Sequence, residues 1–380
     1  MTDRRATLFG STIRALEADD LARIRRPLPP ETEFDFAAGE WRLRVPDEVR
    51  YALAETTRRS ELGYSEPHGD SALREAFLGD LDGARASRHE IDVIITAGAK
   101  EGLWIALQQL VEEREPSFAS TPNVLAPEPG WEPYRSWIKA LNLRRVAYDP
   151  IALVRDPESV LGQPALKGAI LVVNYPNNPT GVAASQEALN RIACAARRYG
   201  SAILADEVYR HYADELTSLA KCPDYEPRLD IIVDSASKWL AGAGLRVGFL
   251  VAAPERAARA GLFRTSYGSC PSGIGQQLAL TLMQEPACRD WTASLQTTAA
   301  ENISLLSREL ASIGLAVESA GALYLWLKHH DISFNSNGIP AALVTDGATF
   351  GAAGYVRVCV ARKVTSPHSA AIAIAIGSKS

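Results

Sequence analysis

Short apolar segments that alternate with longer amphipathic stretches are the feature that most constrains how this chain folds. The apolar segments are IDVIIT (91–96), NVLAP (123–127), GAILVV (168–173), AILAD (202–206), DIIVDS (230–235) and VGFLVA (247–252). Helical patterns occupy residues 99–111, 131–141 and 184–199 between them. Strands that are apolar along nearly their whole length are typical of parallel sheets covered by helices on both faces. The sequence therefore predicts an α/β domain built on a mainly parallel sheet.

The last third of the chain predicts a second, smaller domain of the α+β class. A long helical region covers 272–312, and the strand-like segments LAVESA, LYLWLK and GYVRVCVA follow. The tail SAAIAIAIGSKS predicts a terminal helix packed on this domain, whereas the charged, proline-bearing start of the chain reads as an arm. We expect the arm and part of the small domain at 1–45, the large domain at 46–262 and the C-terminal small domain at 263–380.

Composition excludes several classes of protein. With 380 residues, 47% of them hydrophobic, the chain can bury a sizeable core. Its net charge of −5 argues against nucleic-acid binding by bulk positive charge. The chain has five cysteines, an odd number, and no pair of them has the spacing of metal ligands. The sequence therefore predicts neither a disulfide framework nor a metal site. The start of the chain has no apolar signal core, and no apolar run is long enough to span a membrane, so we expect a cytoplasmic protein.

Two of the predicted strands end in segments suited to binding an anion or a polar ligand. In open α/β sheets, ligands bind beyond the carboxyl ends of the strands. In TAGAKEGL (96–103) a strand gives way to a helix through small residues, and the amides of Gly98, Ala99 and Lys100 suit a phosphate. In NYPNNPTG (174–181), Asn178 presents an amide to a ligand. An empty tight turn and a plain Asn-Pro turn are the alternative interpretations.

Two further strand ends carry charged residues in apolar surroundings. Asp206 in ADEVYR ends a buried strand and needs a partner, unless it only caps the next helix, and Tyr209 lies three residues later. In SASKWLAGAGLR (235–246), Lys238 either extends to solvent or is kept poorly solvated as a nucleophile. Hydroxyls and a guanidinium from the same segment suit a phosphate; they belong to Ser235, Ser237 and Arg246.

Together these segments offer groups for a phosphate, a ring nitrogen, a phenolic oxygen and an aldehyde. Those are the groups of pyridoxal 5′-phosphate (PLP), whose enzymes require a lysine for the Schiff base and a partner for the pyridinium nitrogen. In their order along the chain, from about Phe34 to Ala361, the motifs resemble those of fold-type-I PLP enzymes of the class I/II aminotransferase family. The resemblance implies a seven-stranded, mainly parallel sheet in the large domain, a smaller α+β domain, and a homodimer with shared active sites.

The same resemblance implies a role for each motif residue. Lys238 would bond to the cofactor as a Schiff base and then move the proton at the substrate Cα, while Asp206 would pair with the pyridinium nitrogen. Tyr209 and Asn178 would bind the ring oxygen. The phosphate would be bound by Gly98, Ala99, Lys100, Ser235, Ser237, Arg246 and the partner subunit's copy of Tyr64. Trp131 would stack on the cofactor ring. Substrate would meet Gly39, Asn178 and Arg357, the last of which binds its carboxylate.

The predicted activity is transfer of an amino group between an α-amino acid and a 2-oxo acid. Glu40, Trp41, Arg42 and His68 are candidates to contact the substrate side chain. The segment DGATF departs from the family's Pro-Gly-x-x-Phe because it begins with Asp346. This departure leaves open a PLP-dependent biosynthetic lyase, γ-replacement or cyclising enzyme acting on an amino acid such as S-adenosylmethionine. A ligand-sensing domain fused to a DNA-binding module is disfavoured by the short arm.

Overall fold

The computed structural model of the chain describes residues 35–81, 89–114, 122–328 and 343–377. Most of the arm predicted for residues 1–45 therefore lies outside the described residues. Within them the helices are α1 Asp47–Arg59, α2 Ser71–Asp80, α3 Ala99–Arg114, α4 Glu132–Ala140, α5 Pro150–Arg155, α6 Pro157–Leu161, α7 Gln186–Arg198, α8 Ala236–Trp239, α9 Pro254–Gly268, α10 Gly273–Gln284, α11 Pro286–Ser312 and α12 Pro367–Gly377. The strands are β1 Asp92–Thr96, β2 Asn123–Pro127, β3 Arg144–Tyr148, β4 Ile170–Asn174, β5 Ala202–Asp206, β6 Ile231–Ser235, β7 Gly248–Ala252, β8 Val317–Gly321, β9 Tyr324–Lys328, β10 Thr345–Asp346 and β11 Tyr355–Cys359.

The large sheet has seven strands in the order β1-β7-β6-β5-β4-β2-β3. Strands β2 to β6 pair in parallel, and only β7 runs antiparallel to its neighbours. Every residue of β4, β5, β6 and β7 is buried, because helices cover both faces of the sheet. The predicted α/β architecture is confirmed. Strand β3, which the apolar pattern missed, is half-exposed at the sheet edge.

Each face of the large sheet packs against its own hydrophobic cluster. On one face, residues such as Leu125, Leu171 and Ile203 pack with helices α2 and α7. On the other face, alternate residues of the same strands, such as Val124 and Leu204, pack against α3 and α4. This alternation follows from the two-residue period of a strand. Side chains that cap helices fix where the elements begin; Ser185, for example, accepts from the amide of Ala188 at 3.2 Å.

A second sheet of four antiparallel strands, in the order β10-β11-β9-β8, forms a separate layer. The predicted helical region before it is two helices, α10 and α11, separated by Glu285. Pro286, the first residue of α11, has no amide proton with which to continue α10. The C-terminal helix α12 buries Ile372 and Ile376 in the same cluster as Leu310 of α11. Among the described residues, no helix is both long and apolar enough to cross a membrane.

The predicted domain boundaries stay a prediction. Position 262 falls inside helix α9, and the chain near Asp35 pairs with Leu343 beside the small sheet. The carboxyl ends of β4, β5 and β6 meet along one edge of the large sheet, facing β9 and β11 of the small sheet. This edge is where the predicted site residues gather.

Candidate active site

A cleft of about 490 Å³ lies at that edge, between the two sheets. It is lined by residues from both sheets and from the loop before helix α1: Gly39, Ala99, Lys100, Leu103, Trp131, Asn174, Asn178, Asp206, Val208, Tyr209, Ser235, Ser237, Lys238, Arg246, Tyr324 and Arg357. Twelve of these lining residues belong to the set predicted from the sequence. The segments that carry them are far apart along the chain, so their meeting in one cleft is a result of the fold.

Asp206 is a buried carboxylate at the floor of the cleft, with 4% of its surface exposed. The hydroxyl of Tyr134 donates to one carboxylate oxygen, and the amide of Val208 donates to the other at 3.4 Å. Burial raises the pKa of Asp206 to about 6, although the bonds from Tyr134 and Val208 oppose the rise. A cationic or N–H group in the cleft would stabilise the negative charge of a carboxylate buried in this way.

Lys238 projects into the same cleft from the short helix α8. Its ammonium donates to the carbonyl of Gly39, and Nζ lies 5.8 Å from the centre of the Tyr209 ring. Removal from bulk water lowers the pKa of Lys238, and the positive charge of Arg357 lowers it further, against the opposing charges of Glu40 and Asp206. The amine of Lys238 therefore loses its proton more readily than that of a surface lysine. This agrees with the interpretation of Lys238 as a poorly solvated lysine.

The start of helix α3 and the loop before β7 form a cradle suited to an anion. The first amides of a helix, here those of Ala99 and Lys100, have no carbonyl partner within it. Gly98 has φ +86°, and a Cβ at this position would lie 2.5 Å from Nη2 of Arg246. Glycine is therefore required for the guanidinium to approach the helix start. Arg246 itself donates to the carbonyls of Ala243 and Ala97 at 2.8 and 2.9 Å.

Two serines complete this cradle on the side of strand β6. Ser235 donates to the hydroxyl oxygen of Ser237 at 2.7 Å, and Ser235 Oγ accepts from the amide of Ser237 at 3.1 Å. Both residues are at most 9% exposed, yet both line the cleft. Their hydroxyls, the helix amides and the guanidinium form a donor set of the kind that binds phosphate.

Arg357 lies across the cleft on strand β11 of the small sheet. It donates to Asn178 Oδ1 at 2.8 Å and to the carbonyl of Ala37 at 2.6 Å. The rings of Tyr324 and Phe350 flank the guanidinium, with centres 4.6 and 4.9 Å from its carbon. Its buried Nε has no hydrogen-bond partner among the described residues. A rigid, flanked guanidinium with a free donor suits a carboxylate.

Three residues of the cleft region were not found by the sequence interpretation. Tyr134 bonds Asp206 from helix α4, and Tyr324 bonds the hydroxyl of Tyr209 at 2.6 Å from the small sheet. Asn174 connects two strand ends: it donates to the carbonyl of Asp206 at 3.0 Å and accepts from the amide of Asn178 at 2.9 Å. Asn174 was within the quoted NYPNNPTG segment, at the carboxyl end of its strand. Nothing in the sequence pointed to the two tyrosines.

Several predicted residues lie elsewhere in the single chain. Tyr64 is 92% exposed and does not line the cleft, so its proposed contact with a partner subunit stays a prediction. Trp41 is buried and donates to the hydroxyl of Tyr212 at 2.7 Å, and the ring of His68 packs against Gly261. Arg42 forms ion pairs with Asp35 and Glu40. None of these side chains lines the cleft of this chain.

The departure at Asp346 has a local structural role. Its carboxylate accepts from the amide of Ala348 at 2.9 Å and begins the 3-10 turn at Gly347–Phe350. That turn presents Phe350 to Arg357, and the carbonyl of Phe350 accepts from the amide of Gly130 at 3.1 Å. Although Asp346 stands where Pro-Gly-x-x-Phe has proline, Phe350 still lies beside Arg357.

The residues present fit PLP on observations of this structure alone. The glycine-lined cradle with its serines and Arg246 fits the phosphate, and the buried carboxylate of Asp206 fits the pyridinium nitrogen. Tyr209 and Asn178 supply polar groups for the ring oxygen, and Lys238 supplies the amine for the aldehyde. The fold and the cleft thus define a PLP enzyme of the fold that pairs a large, mainly parallel sheet with a small antiparallel one.

Comparison with known proteins narrows this class. The family model for aminotransferase class I and II matches residues 31–371, so the chain belongs to that family of PLP-dependent aminotransferases. An aspartate aminotransferase of Pyrococcus horikoshii is 29% identical over 66% of this chain and 64% of its own length, which is less than two thirds of that relative. A valine–pyruvate aminotransferase of Mycobacterium tuberculosis is 26% identical over 91% of this chain and 88% of its own length.

A solved structure gives the same result for the fold. The aspartate aminotransferase of Thermus thermophilus with maleate superposes with a TM-score of 0.76, at 25% identity, over 97% of this chain and 95% of that chain. The predicted family, fold, cofactor and enzyme class are thereby confirmed. The alternative of a lyase, γ-replacement or cyclising enzyme is not favoured, since these relatives are aminotransferases.

Proposed function

We propose that this aminotransferase moves an amino group from an α-amino acid to a 2-oxo acid with Lys238, Asp206 and Arg357 as its central residues. The observation that carries the proposal is that these three side chains line one cleft, although they come from three separate segments of the chain. When bound, PLP supplies the aldehyde that accepts the amino group and the ring that stabilises negative charge at the substrate Cα.

The protein's own groups divide the remaining work. Arg357 binds the substrate carboxylate and so orients the bond from Cα to hydrogen toward Lys238. The amine of Lys238, with its lowered pKa, takes that proton and, since one amine reaches only one face of the reacting system, would return it on that same face. Asp206, backed by Tyr134, holds a proton at the ring nitrogen. Asp206 and Arg357 are 4% and 7% exposed, and this burial limits the access of water to the exchange.

Lys100 is our candidate for selecting the substrate side chain. Its backbone amide belongs to the anion cradle, whereas its side chain lines the cleft with Nζ 5.5 Å from the centre of the Trp131 ring. An ammonium in the wall of a cleft favours substrates with a second carboxylate. The names of the Pyrococcus and Thermus relatives, both aspartate aminotransferases, support this choice, and the valine–pyruvate name of the Mycobacterium relative is the competing possibility.

We further propose that the enzyme acts in the cytoplasm as a homodimer. Tyr64 is 92% exposed and Leu62 is 86% exposed in the single chain, and a second copy would bury such apolar surface. In the dimer, the partner subunit's copy of Tyr64 would reach the phosphate cradle. Sedimentation equilibrium of the wild type and of Tyr64→Ala tests the assembly, and a monomeric wild type would refute it.

The test of the activity is a single turnover with one substrate. Cofactor-loaded enzyme is mixed with one amino acid from a panel that includes aspartate, glutamate, valine and alanine, with no 2-oxo acid present. Amino transfer produces one 2-oxo acid per active site and then stops, with loss of the absorbance of the aldehyde form. Continued release of product with ammonia would instead show elimination and overturn the proposal. Lys238→Ala serves as the control that binds substrate without turnover.

The same panel tests the assignment of Lys100. In Lys100→Met, we expect kcat/KM for aspartate and glutamate to fall about tenfold or more, since a charge-assisted hydrogen bond is lost. The value for valine and alanine should be nearly unchanged. Equal losses for acidic and apolar substrates would refute selection by Lys100 while leaving the amino-transfer proposal intact.

A further inference from the structure

Two tyrosine hydroxyls meet where the large and small sheets face each other. Tyr209, three residues beyond the end of β5, and Tyr324, the first residue of β9, have hydroxyl oxygens 2.6 Å apart. Their rings lie edge to face with centres 5.5 Å apart, and the residues are 3% and 0% exposed. Each hydroxyl carries a single proton. When one donates to the other, the acceptor's own proton is free to point to a third group.

Tyr324 also contacts the two residues proposed to surround the substrate. Its ring lies under the guanidinium of Arg357, with the ring centre 4.6 Å from the guanidinium carbon. Its hydroxyl lies where a side chain on Gly39 would collide, 2.7 Å from the Cβ position of such a residue. Tyr324 is therefore a junction between the carboxylate-binding arginine, the loop of Gly39 and the hydroxyl of Tyr209.

We propose that Tyr324 is a positioning residue that donates its hydroxyl proton to Tyr209 and thereby directs the proton of Tyr209 into the cleft. There that proton is available to the ring oxygen of the cofactor. The ring of Tyr324 separately supports Arg357, so one side chain connects substrate binding on the small sheet with cofactor binding on the large sheet. This inference rests on the roles proposed above for Tyr209 and Arg357.

Either hydroxyl could be the donor in the bond between them, so the proposed role of Tyr209 sets the direction of donation. Burial raises the pKa of both tyrosines. The nearby positive charge of Arg357 opposes the rise, and the pKa of Tyr324 reaches about 12 while that of Tyr209 lies well above its usual range. Both hydroxyls therefore keep their protons near neutral pH. Since each carries one proton and that of Tyr209 is needed in the cleft, we assign the proton between the two oxygens to Tyr324.

Other charged and titratable groups face this pair and stay in place when Tyr324 is changed. Asp206, Lys238 and Arg357 face Tyr209, and Arg357, Cys359 and Asp206 face Tyr324. Phenylalanine keeps the ring beneath Arg357 and removes only the hydroxyl. A change in the titration of the bound cofactor in Tyr324→Phe therefore reports the lost hydrogen bond.

The experiment is a pH titration of the visible absorption band of the cofactor-loaded enzyme in wild type, Tyr324→Phe, Tyr324→Leu and Tyr209→Phe. A weaker donation from Tyr209 makes the anionic ring oxygen less stable, so the pH midpoint rises. We expect a rise of roughly half to one pH unit in Tyr324→Phe, since one net hydrogen bond is worth about that shift. The KM for the amino acid should stay within about twofold in this variant and rise about three- to tenfold in Tyr324→Leu, which also loses the ring under Arg357.

Tyr148→Phe is the matched control, because Tyr148 is also buried and donates to the carbonyl of Val172 at 2.6 Å, away from the cleft. Its midpoint should equal that of the wild type. A wild-type midpoint in Tyr324→Phe together with a raised one in Tyr209→Phe would overturn the inference and leave the role of Tyr209 standing. Wild-type midpoints in both variants would overturn the inference and the proposed role of Tyr209 together.

Discussion

The guanidinium of Arg357 donates to the side-chain oxygen of Asn178 at 2.8 Å, and this bond joins the small sheet to the segment that follows β4 of the large sheet. The bond fixes the plane of the guanidinium before any substrate arrives. Because the rings of Tyr324 and Phe350 also pack against the guanidinium, the arginine has little freedom left to lose on binding. Lysine has no such planar, preorganised set of hydrogen-bond donors.

Replacing Arg357 with lysine should therefore weaken substrate binding despite the retained charge. We expect KM for the amino acid to rise about ten- to a hundredfold, because one charge-assisted hydrogen bond of the pair to the carboxylate is lost. Steady-state kinetics with a saturating 2-oxo acid measures this. Arg362→Lys is the control, since Arg362 is as buried as Arg357 and lies 4.8 Å over the ring of Phe36, outside the cleft. Equal KM values for the two variants would contradict the role of Arg357.

Gly98→Ala should impair the phosphate cradle. The substitution places a Cβ 2.5 Å from Nη2 of Arg246 and forces alanine into φ +86°. We expect affinity for PLP to fall about tenfold or more, and affinity for pyridoxal, which lacks the phosphate, to change much less. Absorbance titration of the cofactor-free enzyme gives both values. Gly244→Ala, where a Cβ meets nothing within 4 Å, should bind like the wild type. Undiminished PLP affinity in Gly98→Ala would refute the cradle.

The large sheet was predictable from sequence because its buried strands are apolar on both faces. Strand β3 was missed for the opposite reason: it lies at the sheet edge, and its RRVAY sequence has solvent on part of its surface. At that edge Arg145 forms an ion pair with Glu128 at 2.6 Å. An edge strand buries less of its surface than a central one. The hydrophobic pattern of the five residues of β3 is therefore too weak to indicate a strand.

The candidate site was predictable where its residues follow strand ends, since the carboxyl ends of parallel strands meet at one edge. Asp206 ends strand β5 and Lys238 follows the neighbouring strand β6, and both were identified this way. Tyr134 and Tyr324 were not, because their contacts depend on how helix α4 and the small sheet pack on the large sheet. Along the chain, Tyr134 lies 72 residues from Asp206, and Tyr324 lies 115 residues from Tyr209, so no local pattern connects the members of either pair. The catalytic and binding roles of all these residues stay predictions.

Arg210 should be far more important for stability than an exposed arginine. It is 1% exposed and donates to Asp234 at 2.7 Å and also to Asp80. Arg210→Leu leaves Asp234 buried without its charge partner, which should cost about 3–5 kcal/mol of unfolding free energy. Urea denaturation of the cofactor-loaded enzyme measures this. Adding Asp234→Asn should recover part of the loss.

An exposed pair on the same molecule serves as the control for that measurement. Arg198 and Glu158 form an ion pair with side chains 61% and 41% exposed. Arg198→Leu should change stability by less than about 1 kcal/mol. If both arginine variants unfolded at the same urea concentration, the buried pair would have no special importance.

Glu207 should make the protein less stable as the pH rises from about 4 to 7. Burial raises the pKa of this carboxyl to about 7, against the lowering effects of Arg210 and of bonds from Leu219 and Ser218. In the unfolded chain the pKa is near 4.3, so between these values the folded state binds more protons. The stabilisation is complete below the unfolded pKa and is lost as the pH rises through the folded pKa.

In Glu207→Gln an amide replaces the titrating group, with its oxygen able to accept from Leu219 and its nitrogen to donate to Ser218. Urea denaturation at several pH values should therefore give a flatter profile for Glu207→Gln than for the wild type, and parallel profiles would show that Glu207 does not titrate in this range.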